Sequence, residues 1–392
     1  MRIAVGVDIA KEVHWATALN EVGEALLDRR VPNDPRSLEE LIEQLRALDA
    51  EITVGLDVVG GIASLAQAML SAAGLPLVHV PGLAVNRARQ GTTGGESKSD
   101  PRDARVIADQ VRSRRDLRPI AAAEELDTGI RLLVGRRRDL TDEQTRRLAR
   151  LRDLLTSIHP GLEREVDVTN KGGLWLLTRY VTPAEIRAAG QSRLVAYLRR
   201  AGNLRQVEKL AEAALAAART QRIAVPGEAV AASLIRELAR EALATRERLE
   251  GLDKELGELL ARHPDAALIR SLPGMGAVLT AEFIAEAGTI TRFRSADALA
   301  AAAGLAPVLR QSGKVRFLRR PAGGNKGLKR VFYQSAFCSL NTPSSRAFYQ
   351  RKRTEGKRHH QALIALARRR IDVLWAILAS RQPFSEEHRK VA

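Results

Sequence analysis

From Leu132 the chain changes the spacing on which its apolar residues recur, and that change limits what it can fold into. Before it, short runs rich in β-branched residues alternate with helical patterns. RIAVGVDI (2–9) and VHWATAL from Val13 are separated by a short polar break, which predicts a hairpin, and a third extended piece follows near Ala25 to Val31. Leu38, Leu41, Ile42 and Leu45 then recur at helical spacing. ITVGLDVV (52–59) reads as a buried strand, GIASLAQAMLSAAG as a helix stopped at Gly74, and PLVHV (76–80) as another strand. Beyond the loop GTTGGESKSD, Pro101 suits the first turn of a helix that continues through DARVIADQVR. This order predicts a mixed sheet flanked by helices, closed as a first domain over 1–118.

After the change the pattern is helical. Leu133, Leu140, Leu148, Leu151, Leu155 and Ile158 mark one face of a long charged helix that Pro160 ends. Leu234, Leu238, Leu243, Leu249, Leu252, Leu256 and Leu259 mark a second. The region 119–264 therefore reads as an antiparallel pair or an intermolecular coiled coil, with a helical insertion at 161–226. Trp175 and Tyr180 in that insertion have the aromatic faces to stack on bases, but among leucines they read as core. The last region, 265–392, carries LPGMG, the helix-like AVLTAEFIAEAG, a glycine-rich basic loop and two more helical patterns, and reads as a small, mostly helical domain.

Charge narrows the partner. Lys and Arg number 63 against 46 Asp and Glu, a formal charge of +17 over 392 residues, which favours a polyanion and nucleic acid first. A membrane partner is not expected, because charges interrupt every apolar stretch before bilayer length and MRIAVGVDIAKE reaches Asp8 too early for a signal peptide. The expected location is the cytoplasm. The lone Cys338 excludes a disulfide or a cysteine zinc site within one chain, and its apolar-periodic setting predicts a buried thiol.

Asp8 ends the first strand and Asp57 lies in the fourth, while Asp100 and Asp103 stand at i, i+3 on one helical face. Together they suit Mg²⁺, which demands oxygen ligands and serves phosphodiester cleavage by holding attacking and leaving oxygens. Singly, each acid also fits a turn or a helix start. Asp8 and Asp57 fall inside apolar runs, where an unpaired carboxylate is costly, so a metal or a basic partner must compensate.

GVDIAKE, LDVVGG and KSDPRDAR resemble the DEDD-type insertion-sequence transposases of the IS one-ten family, described as bridge-RNA-guided recombinases. The resemblance implies a ribonuclease H-like (RuvC-like) first domain, hence an α/β plus α chain, and Asp8, Asp57, Asp100 and Asp103 as the metal quartet. Asp57 departs from the family pattern, which has Glu in an EATG-like string; Asp is one methylene shorter. SLPGMGAVLTAEFIAEAG and GLAPVLRQSGKVR resemble the family's C-terminal transposase domain, in which a serine after GLxP is the nucleophile, and this implies Ser312. The middle of the chain carries no motif that aligns. The implied chemistry is Mg²⁺-dependent DNA cleavage and rejoining through a phosphoserine link, with donor DNA, target DNA and a guide RNA as partners.

A serine hydroxyl needs activation, so its surroundings matter. From Arg310 to Arg330 the chain holds Arg310, Lys314, Arg316, Arg319, Arg320, Lys326, Lys329 and Arg330 with no acid, interleaved with glycines, which suits close approach to a nucleic-acid backbone. Lys98, just before the paired acids, joins the candidate contacts. LPGMG, RKRTEGKRHH (351–360) and Arg368 to Arg370 are further candidates for phosphate contact. The coiled-coil pattern and the need to hold several DNA ends favour a dimer or tetramer. Two readings compete: a junction nuclease using water and only the carboxylates, and a non-enzymatic nucleic-acid binder whose acids are structural. A sugar-kinase or actin-like ATPase ranks last, since no P-loop or later phosphate loop is found.

Overall fold

The computed structural model describes residues 1–92, 96–120 and 124–386. Residues 93–95 of the predicted glycine-rich loop lie outside that set. The chain divides into two compact units, Met1–Glu125 and Leu126–Ala392.

The first unit is built on a six-stranded sheet of order β3-β2-β1-β4-β5-β6. β1 (Arg2–Asp8), β2 (Val13–Leu19) and β3 (Ala25–Pro32) form an antiparallel meander, whereas β4 (Glu51–Leu56) and β5 (Leu77–His79) run parallel to β1, and the short β6 (Arg118–Pro119) closes the edge antiparallel. Four helices accompany it: α1 (Pro35–Arg46), α2 (Ser64–Ala72), α3 (Gly82–Gln90) and α4 (Asp100–Ser113). α1 starts where Asp34 accepts the Ser37 N–H at 2.9 Å and Pro35 occupies the first turn.

Strand alternation assigns the two faces of the sheet. Ile3, Val5 and Val7 of β1 and Ile52, Val54 and Leu56 of β4 join Leu38, Leu41, Leu45, Ala66 and Leu70 in one buried cluster. The other face belongs to α4. There a Cβ on Gly6 would lie 2.1 Å from the Ala104 carbonyl oxygen and 2.3 Å from the Ala108 nitrogen, and one on Gly55 would lie 2.4 Å from Val111. Gly6 and Gly55 are register partners, so side by side they open a slot into which the α4 backbone settles.

The second unit is helical apart from one hairpin. Its frame is an antiparallel pair, α5 (Glu125–Ile158) and α10 (Glu228–Arg262), pinned along its length by Asp127 with His263, Arg137 with Asp253 and Arg147 with Glu241. Far along the pair, α6 (Pro160–Glu165), α7 (Lys171–Leu177), α8 (Pro183–Arg199) and α9 (Val207–Thr220) enclose one core with Leu151, Leu155 and Ile235. Trp175 stacks on Tyr197 at 5.9 Å within that packing and donates Nε1–H to the Tyr197 carbonyl at 3.1 Å, which is a structural role. At the opposite end, Ile130, Val134, Leu256 and Leu260 enter a second core with α11 (Ala266–Ser271), α12 (Ala277–Ala287), α13 (Ala296–Ala302), α14 (Lys326–Cys338), α15 (Pro343–Thr354) and α16 (His359–Ser380).

Two sequence expectations change here. Along the first half of α10 the fully buried face is Ala232, Ile235, Ala239, Ala242 and Thr245, while Leu234 is exposed, so small residues and not the leucine series form the seam. Cys338 is exposed. The buried stripe of α14 runs through Leu328, Val331, Phe332, Ser335 and Ala336, and residue 338 turns away from it. Among the described residues no helix is long and apolar enough to cross a membrane.

Candidate functional site

Gly6 and Asp8 are two apart on β1, and Gly55 and Asp57 two apart at the end of β4, so both aspartates share the α4 face with the slot that admits the helix. β4 itself ends at Leu56, which places Asp57 just beyond the strand, where its Oδ1 accepts the Ile9 N–H at 3.2 Å. Asp100 and Asp103 occupy the first turn of α4, where carboxylates are favoured by the helix dipole. Asp103 is buried and Asp100 exposed.

The electrostatics report their proximity. Burial first, then the charges of Asp57, Asp103 and Asp100, push the Asp8 carboxyl from 3.8 to about 7, against a smaller opposing effect of Lys98. Burial also raises Asp57, opposed by the N–H groups that point at it. Such crowding of hard oxygen donors fits a divalent cation. Among the described residues no three acids, histidines or cysteines are drawn into a closed coordination shell, and Asp103 instead has Arg89 Nε 2.9 Å from its Oδ1, off line for a hydrogen bond.

Arg89 on α3 was not found by sequence reasoning, and nothing in NRARQ marks it. The aspartate pairing did carry a missed signal: Val5-Gly6-Val7-Asp8 and Val54-Gly55-Leu56-Asp57 repeat the string V-G-x-D, and the strands align it in register. Two histidines lie at the same end of the sheet but on its other side, His79 in register with Leu56 and His14 next to Trp15, the partner of Asp8. His79 Nε2 lies 3.3 Å from the Asp57 carbonyl oxygen, and the buried His14 accepts the Ala10 N–H at Nδ1 at 3.1 Å, burial holding its pKa below the ordinary range.

The predicted basic loop of the second unit is a two-stranded ribbon, β7 (Val308–Ser312) and β8 (Val315–Arg319), turning at Gly313 (φ +55°) and Lys314. A two-residue turn with positive φ is the reason a hairpin forms there. Both strands are exposed throughout, including Phe317 at 54% and Leu318 at 67%. Cross-strand pairing puts Ser312 opposite Val315, on the same face as Arg310, Phe317 and Arg319, and puts Arg316 with Gln311 on the other. At the ribbon's foot Arg319, Arg320, Lys326 and Lys329 line a cavity of about 550 Å³ whose wall also includes Gly323 and Gly324. Arg330, in α14 with Lys326 and Lys329, differs from these cations in being ion-paired to the buried Glu282.

Residues 5–160 match the model of a transposase family, and residues 266–350 match the model described as the transposase IS116/IS110/IS902 family. The chain is 44% identical over 387 residues to the 44.8 kDa protein of insertion element IS116 from Streptomyces clavuligerus, covering 98% of this chain and 96% of that protein. It is 42% identical to the 42 kDa protein of insertion element IS900 from Mycobacterium paratuberculosis, covering 95% and 94%. Among solved structures, Thermus thermophilus RuvC in complex with a Holliday junction substrate aligns at 14% identity and a TM-score of 0.25, covering 31% of this chain and 100% of RuvC. Matched along nearly its whole length by such relatives, the chain belongs to the IS116/IS110/IS902 family of transposases, and is an enzyme of DNA recombination.

Proposed function

We propose that this transposase cuts and rejoins DNA through a covalent phosphoserine link made by Ser312, with Mg²⁺ held by Asp8, Asp57, Asp100 and Asp103. The observation that carries the reading is geometric: the register of β1 with β4 sets Asp8 and Asp57 side by side on the face that α4 covers, and α4 begins with Asp100 and Asp103; the raised Asp8 carboxyl, due to burial and then to those acids, agrees with it. Asp57 has the shorter side chain where the family pattern has Glu, and its attachment just past β4, tied by the Ile9 N–H, supports its reach. When bound, Mg²⁺ would neutralise charge on the phosphate and on the attacking and leaving oxygens.

Ser312 stands at the tip of an exposed ribbon, open to solvent. Its Oγ forms a bond to phosphorus as one ester bond of the DNA strand breaks, and the hydroxyl proton passes, on balance, to the departing strand oxygen. Rejoining reverses this with a different strand end, so the phosphodiester energy is retained and no nucleotide triphosphate is consumed. Arg310 and Arg319, on the serine's face, orient the phosphate and offset charge developing on it. Lys314, Arg316, Arg320, Lys326 and Lys329, with Lys98 near the acids, hold backbone phosphates, while Arg330 keeps α14 attached to α12 through Glu282.

The wider reading follows the family resemblance. The antiparallel meander continued by parallel strands under α4 supports a ribonuclease H-like (RuvC-like) domain over 1–118. The regions 119–264, with its insertion 161–226, and 265–392 act as a helical spacer and a serine domain. A structured RNA guides the choice of donor and target DNA, and two or four copies hold the ends. The test is incubation with Mg²⁺, the element-encoded RNA and both DNAs, followed by mapping of protein–DNA adducts. An adduct at Ser312, lost in Ser312→Ala, is the expected result; cleavage that survives this change without any adduct would assign hydrolysis by water instead.

A further inference from the structure

Apolar side chains stand on both strands of the β7–β8 ribbon with nothing to pack on. Val308, Leu309, Val315, Phe317 and Leu318 are all exposed, and none joins or packs against a core cluster. A two-stranded ribbon with both faces in water is only marginally stable by itself, and a contiguous apolar strip of this kind marks a surface that another molecule covers. Phe317 is the largest of the five. Elsewhere in the second unit Phe283 meets Phe332 edge-on at 5.8 Å, and Arg351 lies over Phe348 at 5.1 Å. Among the described residues no ring and no cation lies over Phe317.

Charge identifies the occupant. From Val308 to Arg330 there is no Asp or Glu, so pairing this ribbon with its equal on a second copy would bring like charges together. The register sets Arg310 directly across from Phe317; one step toward the tip on the same face are Ser312 and Val315, and one step toward the foot are Arg319 and Val308. Each step of two residues advances about 7 Å along a strand, comparable with one extended nucleotide. Arg319 also lines the cavity at the foot, together with Lys326 and Lys329, so cations continue past the ring. A polyanion with flat apolar groups between its charges matches this alternation. Within a duplex each base face is covered by its neighbours, whereas an unpaired strand offers one to an aromatic ring.

We propose that Phe317 is the platform on which an unpaired DNA base stacks beside the phosphate held at Ser312, so that the ribbon receives single-stranded DNA. The choice of DNA and the position of the base rest on the serine reading; the stacking contact itself needs no serine.

The experiment titrates the full chain carrying Ser312→Ala, which removes covalent chemistry, with a short single-stranded oligodeoxynucleotide containing 2-aminopurine, whose fluorescence falls on stacking. Its duplex and an RNA of the same sequence are titrated alongside. Phe317→Leu keeps an apolar strand residue without the ring, and Phe317→Tyr keeps the ring; both should leave the melting temperature unchanged, since the residue is exposed. The expected result is that Phe317→Leu weakens single-strand binding about tenfold and removes the quenching, that Phe317→Tyr retains both, and that duplex affinity changes by about twofold or less. Undiminished binding and quenching in Phe317→Leu, or an equal loss for single strand and duplex, overturns the proposal. So does dependence on Phe317 for the RNA alone, or a sedimentation change in free Phe317→Leu protein, which would assign the face to a second copy. Adduct mapping on protein that retains Ser312 judges the serine reading separately: adducts without stacking sink this inference alone, and stacking without adducts sinks the serine reading while the platform stands.

Discussion

Replacing Asp8 by Asn should make the metal-free protein more stable while abolishing strand cleavage. In the fold this carboxyl is raised from 3.8 to about 7, chiefly by burial and then by three neighbouring acids. A shift of that size corresponds to roughly 4 kcal/mol, and solvent access at a half-buried group screens it to about 1–2 kcal/mol. The sign follows from linkage. A carboxyl whose folded pKa lies above its unfolded value stabilises the fold fully below the unfolded pKa, and that contribution is lost as pH rises through the folded one. Wild type without divalent ions should therefore lose about 1–2 kcal/mol between roughly pH 4 and pH 7, a decline that Asp8→Asn removes. Urea-dependent hydrogen exchange of the β1 and β4 amides in chelator reads this locally. Added Mg²⁺ should stabilise wild type and leave the variant unchanged. A variant less stable than wild type near pH 8 without metal, or one with the same pH slope, would refute the reasoning.

Ser312→Ala should leave the melting temperature unchanged, since the residue is exposed at a ribbon tip, while eliminating covalent adducts on denaturing gels. Gly6→Ala should cost about 3 kcal/mol or more in urea unfolding, because its Cβ would meet α4 backbone at 2.1 Å, and should also displace Asp103 and remove activity. Arg330→Ala should destabilise the second unit by about 2–3 kcal/mol by leaving Glu282 buried and unpaired, with part of the loss recovered by adding Glu282→Gln. Arg316→Ala, by contrast, should leave unfolding unaltered and lower nucleic-acid affinity with a shallower salt dependence, measured by filter binding.

Strands β1 to β5 and helices α1, α2 and α4 of the first unit are legible because their apolar residues recur at strand or helical spacing, while α3 and the two-residue β6 carry no such period. What escapes is tertiary: only register brings the two V-G-x-D strings together, and Arg89 reaches Asp103 from a helix whose composition announces nothing. The ribbon at 308–319 reads as a loop because Val308-Leu309 and Phe317-Leu318 put apolar residues on both faces and the turn lacks an Asn-Gly pair. Leucine spacing predicts the length and pairing of α5 and α10 but not their seam, since alanines take the positions where two backbones come close. Cys338 shows the same limit: an apolar period assigns a face only to within a residue or so.

The α5–α10 pair is also a ruler. At about 1.5 Å per residue, its 34- and 35-residue helices span roughly 50 Å, with separate cores gripping its two ends. Deleting one heptad from each would draw those ends together by about 10 Å with little rotation, whereas deleting three or four residues would twist one end relative to the other. Insertions and deletions here thus alter reach and phase in steps, so natural length variation in this stretch should cluster near multiples of seven.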